Sequence, residues 1–98
     1  MYILMDNEEI IKEINSYPNP QYMWLEFWEI NEYAVQLVLT INHELLVRNG
    51  THKCFRICEI QTDEEEPTEI KQYASELKKF LKRNFKHKEI HSNFHFRW

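Results

Sequence analysis

Glycine is almost missing from this chain: Gly50 is the only one among 98 residues. A glycine-rich loop that cradles phosphate is therefore excluded. With only three prolines as well, so is any collagen-like or linker-like chain. Cysteine is nearly as scarce. On a strand, Cys54 and Cys58 would lie about 13 Å apart at roughly 3.3 Å per residue. A disulfide needs Cα atoms within about 7 Å, so an intrastrand bridge is excluded. Two free, half-buried thiols suit a reducing cytoplasm, and that is the expected compartment. No apolar run approaches the ~18 residues that span a bilayer, so no membrane role is expected. The opening Met1-Tyr2-Ile3-Leu4-Met5 is too short for a secretory core and meets acid at Asp6.

What the chain does have is 43% hydrophobic, 14% aromatic and 29% charged residues. Those are the proportions of a folded, soluble domain, with too many aromatics for a disordered chain. A chain of this size buries roughly 60–70% of its unfolded surface, enough for one core spanning residues 1–98.

Asp6-Asn7-Glu8-Glu9 places a capping acid three residues before a carboxylate, and Met5 and Ile10 sit where a hydrophobic staple would close the turn. Ile10, Ile11, Ile14 and Tyr17 recur at helical spacing, which predicts a helix over 7–16 ended by Pro18. Residues 22–30 are dense in aromatics and read as a strand. From Tyr33 to Ile41 the apolar residues fall on odd positions, a parity that continues through His43, Leu45 and Val47. Arg48-Asn49-Gly50-Thr51 is a two-residue hairpin signal. Closing the hairpin there predicts Leu45 opposite Cys54, Ile41 opposite Cys58 and Leu39 opposite Ile60. His43 would then meet Arg56 on the apolar side, so a bend near Asn42 is expected.

An acidic stretch and Pro67 introduce a second helix, about 67–86, with a stripe of Ile70, Tyr73, Ala74, Leu77, Phe80, Leu81 and Phe85. The tail alternates cleanly. Ile90, Ser92, Phe94, Phe96 and Trp98 point one way, which predicts a docked strand over 89–98, paired with 22–30 or with 51–61. The expected fold is therefore a single small α+β domain in the order α-β-β-β-α-β. It comprises a three-stranded antiparallel meander and a C-terminal strand, packed with two helices.

The net charge of −4 hides an asymmetry: residues 1–66 carry −9 and residues 67–98 carry +5. Such a dipole steers charged partners toward one side. Lys71, Lys78, Lys79, Lys82 and Lys86 gather on one side of the second helix. No aromatics interleave with them, so nucleic acid is not the expected partner. The acidic half is more pointed. Glu26 lies between Trp24 and Trp28, with Tyr22 beyond, all of one strand parity. A three-residue loop at Asn31-Glu32 sets Met23, Leu25 and Phe27 with Val35, Leu37 and Leu39, and turns the Trp-Glu-Trp stripe away from the core. A two-residue loop would bury Glu26 as a lone carboxylate, which is expensive. The second face then carries Tyr22, Trp24, Trp28, Val38, Phe55 and Ile57 around Glu26, Glu59 and Gln36. That much apolar surface needs a cover: one of the helices, a second copy, or a target.

Few catalytic tools show in the sequence. Ser16, Ser75 and Ser92 lack nearby His-Asp context, and His91 and His95 on a strand are about 13 Å apart, too far to share a metal. His52 and Cys54 share a face without a third ligand. No cofactor is expected, and the reading is non-enzymatic. In size, acidity and lack of a catalytic motif the chain resembles bacterial immunity proteins that neutralise toxin domains. That resemblance implies an inhibitor that plugs the positive cleft of a basic, nuclease-like partner. The expected contact residues are Tyr22, Trp24, Glu26, Trp28, Glu59, Asp63, Glu64, Glu65 and Glu66. The alternatives are a nucleic-acid-binding module using the basic helix and a structural homodimer.

Overall fold

Asp6 does open the first helix. In the computed structural model, which describes residues 1–17, 22–42 and 53–96, its Oδ1 accepts from Glu9 N at 2.9 Å, and α1 runs Asn7–Ser16. Ile10 and Ile14 are its buried residues. The second helix, α2, is Thr68–Asn84, with Pro67 as its N-cap. It buries Ile70, Ala74, Leu77 and Leu81, four positions of the expected stripe.

Five strands form one mixed sheet, β1 (Tyr2–Ile3), β2 (Tyr22–Asn31), β3 (Ala34–Asn42), β4 (Lys53–Gln61) and β5 (Glu89–Asn93). Their spatial order is β1-β4-β3-β2-β5. The chain order is thus β-α-β-β-β-α-β, and β1 is an addition to the expected fold: two residues are too few to show a period. β2, β3 and β4 form the antiparallel meander, and β5 returns parallel to β2. The choice left open for the last strand falls on 22–31. That strand is shorter than expected, because after Asn93 the chain stops pairing and its aromatics pack instead. Phe94 and Phe96 lie 5.3 and 4.6 Å from the Phe27 ring. Arg97 and Trp98 lie outside the described residues.

The stripe on β2 faces as expected, by a different device. Met23 pairs with Ile41, Leu25 with Leu39 and Phe27 with Leu37. The turn itself is two residues, Glu32 and Tyr33, and a bulge at Ile30 supplies the odd residue that keeps the parity. Asn31 Oδ1 accepts from Tyr33 N at 2.8 Å, fixing the turn.

The register of β3 with β4 differs from the expected hairpin. Ile41 lies opposite Lys53, Leu39 opposite Phe55 and Leu37 opposite Cys58. Each of Ile41 and Leu39 therefore meets β4 five residues earlier than expected. The proposed turn at 48–51, and His43, Leu45 and Val47, lie outside the described residues. Ile57 is then an extra residue on β4, since Val38 pairs with Arg56. Its carbonyl accepts from both Leu4 N and Met5 N, at 2.9 and 3.1 Å. The bulge turns Ile57 and Cys58 both into the core, so Phe55 and Ile57 belong to the helix-covered side and not to the second face.

Both helices pack on one side of the sheet. Their buried residues share a core with Met23, Leu25, Val35, Leu37, Leu39, Ile41, Ile57, Cys58 and Ile60. Lys78 Nζ bridges from α2 to Ser92 Oγ on β5 at 2.7 Å, and Lys53 reaches Glu13 of α1 at 3.8 Å. No helix is long and apolar enough to cross a membrane among the described residues.

Candidate protein-binding face

Because side chains alternate along a strand, the core-facing set leaves a second set on the other side. Pairing arranges it in rows. Trp24 lies beside Thr40 and Cys54 on one flank and His91 on the other. Glu26 lies beside Val38 and Arg56, with Asn93 outside it, and Trp28 lies beside Gln36 and Glu59. Tyr22, half-buried, stands opposite Glu89 at the near end of β5.

Neither α1 nor α2 covers these rows, since both pack on the other side of the sheet. Trp24 is 42% exposed and Trp28 37%. Val38 is nonetheless completely buried and Gln36 is only 6% exposed, because longer neighbours close over them. The indoles are therefore a lid over their own sheet and a surface to the outside. Each is held. The Trp24 ring stacks on His91, with centroids 4.5 Å apart and planes inclined by 24°. His91 Nε2 in turn lies 3.3 Å from Glu89 Oε2. Trp28 donates its indole N–H to Glu26 Oε1 at 3.0 Å. Gln36 Nε2 donates to Glu59 Oε1 at 2.9 Å. The Gln36 carbonyl oxygen has no donor. It is the one buried side-chain polar atom without a partner among the described residues.

Of the residues expected from sequence, Tyr22, Trp24, Glu26, Trp28 and Glu59 share this face. Asp63, Glu64, Glu65 and Glu66 do not: all are exposed in the connection from β4 to α2. That connection begins at the sheet end marked by the β2–β3 turn, where Thr62 N donates to Tyr33 O at 2.7 Å. They form an acidic rim beyond the row of Trp28, not part of the row. Sequence reasoning missed His91 as a member of the face. Its signal was the parity it shares with Glu89 and Asn93, but its placement needs the parallel pairing with β2. Arg56, the base on the face, moved there with the β4 register.

Among the described residues no group of three His, Cys, Asp or Glu side chains is placed to hold a metal ion. The face offers carboxylates, aromatic rings and an amide, which suit recognition. Along the β2 edge beyond Asn93, a shallow cleft of about 430 Å³ is lined by Glu26, Trp28, Glu29, Ile30 and His95. No protein-family model, no curated protein and no solved structure matches this chain.

Proposed function

We propose that the protein binds a basic protein partner through the open face of its sheet, as a non-enzymatic inhibitor of a nuclease-like bacterial toxin domain. What supports this most is the state of the two tryptophans. They stand partly exposed on the side away from both helices, each pinned by a polar neighbour. Pinned aromatics lose little side-chain freedom on binding and are the residue type that anchors interfaces. Glu26, Glu59 and Glu89 outnumber Arg56 on the same face, so the complement is cationic. An enzyme that grips phosphate needs such a cationic cleft, and an acidic plug competes for it. The free thiols Cys54 and Cys58 fit a cytoplasmic site of action.

The test is co-purification from cells that encode the protein, followed by reconstitution of the complex from the identified partner. Double substitution Trp24→Ala with Trp28→Ala should abolish capture of a basic protein. Charge reversal of Lys79 and Lys82 on α2, together with Lys86 just beyond its end, should leave capture intact. The opposite pattern, with polyanion binding lost on lysine reversal, would place the function on α2 and replace this reading with the nucleic-acid one.

A further inference from the structure

We infer that the row Trp28–Gln36–Glu59 is a seat for a guanidinium group, so that the segment filling the open face carries arginine in particular. This rests on the reading of that face as a site for a cationic protein, and adds the chemistry of the anchoring side chain. Three adjacent strands set the indole, the amide and the carboxylate side by side. With strands about 4.8 Å apart, Trp28 and Glu59 are separated by roughly 9.6 Å, with Gln36 between them. Gln36 spends its N–H on Glu59, which fixes its orientation: turned over, it would set two oxygens against each other. Its own oxygen is thereby left buried with no donor. A buried acceptor in that condition is costly, so what settles on this row gains by bringing an N–H.

A guanidinium suits all three groups: the indole and the carboxylate meet it at the surface, and the Gln36 oxygen accepts from it once the side chains that cover that oxygen are pushed aside. It is planar and stacks on an indole, it pairs with a carboxylate, and it carries five N–H donors in a fixed fork. An ammonium group is compact, strongly hydrated and holds its water more tightly, and has no planar face to lay on the indole. Arg56 occupies the neighbouring row with Val38 and Glu26, so the incoming cation lies on the Trp28 side of it. Phosphate-bearing ligands are repelled by Glu26 and Glu59. A second copy would bring Glu26, Glu59 and Glu89 against their own kind.

The experiment titrates octa-arginine and octa-lysine peptides into the full chain carrying Trp98→Phe, so that emission comes from Trp24 and Trp28. Calorimetry is run in parallel. The arginine peptide should bind about tenfold tighter than the lysine peptide of equal charge. Gln36→Leu should bring the ratio close to one without lowering the melting temperature, because the substitution removes an unpaired buried oxygen. Trp28→Leu should also bring the ratio close to one. Should that variant unfold, Trp28→Phe keeps the bulk and should still lower the ratio. Equal affinity for both peptides overturns the arginine inference and leaves the cationic reading of the face standing. Failure of both peptides to bind overturns the inference, as does a homodimer in light scattering whose interface excludes them. A captured partner indifferent to loss of both indoles overturns the underlying reading instead.

Discussion

Trp24 and Trp28 are fixed in place by His91 and Glu26, yet contribute less than full burial to the fold. Truncating either to alanine should therefore cost about 2 kcal/mol or more in binding to the captured partner. Its cost in folding stability should stay below the roughly 3–5 kcal/mol of a fully buried aromatic, measured by urea denaturation. Cys58 behaves in the opposite manner. Burial pushes its thiol up from 9.0 to about 11, with smaller opposing effects from a backbone hydrogen bond at Leu37 and the chain's amino terminus. The folded state thus keeps its proton after the unfolded chain has lost its own. The thiol's contribution is complete below pH 9 and is lost as pH rises from 9 to about 11. The loss amounts to roughly 2 kcal/mol. Tyr73 is also shifted upward by burial and adds to the decline in the same direction. The check is a comparison with Cys58→Ala across that range, in which the variant should show the shallower fall. Cys54, which is exposed, should react with iodoacetamide in the native state, and Cys58 only on unfolding.

The helices were legible because their signals are local. The capping acid at Asp6 and the stripes through Ile10 and Ile14, and through Ile70 to Leu81, depend on spacing within one turn or two. Replacing Asp6 with alanine should cost about 1 kcal/mol, read from chemical denaturation, because the Glu9 N–H loses its acceptor. Strand faces were legible only where parity runs unbroken. The β2 stripe came out on the expected side because an unpaired Glu26 in the core is too costly, whichever turn achieves it. The β3–β4 register did not, for the reason that a hairpin inferred from Asn49-Gly50 assumes that both strands run straight to the turn. An extra residue at Ile57 breaks the parity of β4, and nothing in Arg56-Ile57-Cys58 announces it. The face's composition changed accordingly: Phe55 and Ile57 left it, and Cys54 and Arg56 joined it. The bulge is itself open to test. Ile57→Asp should prevent folding, whereas Arg56→Asp, one residue away on the open side, should change stability by no more than about 1 kcal/mol.

At the scale of the molecule, the sheet separates two surfaces. α2 presents lysines on the side away from the core, while the opposite side of the sheet carries the tryptophans and carboxylates, with the acidic connection 62–67 at one end. Charge at that rim acts at a distance rather than by contact, so it governs approach more than residence. Reversing Glu64, Glu65 and Glu66 to lysine should slow association with the basic partner and flatten its dependence on salt, with dissociation little changed, as read by stopped-flow mixing. What sequence could not supply is the side on which the helices pack, since one of them crossing over would have covered the tryptophans. The most direct measurement is acrylamide quenching of Trp24 and Trp28 in the Trp98→Phe protein, alone and in the reconstituted complex. Both indoles should be quenched readily in the isolated protein and shielded once the partner is seated. Indoles already shielded in the isolated protein, or equally quenched in the complex, would contradict the account.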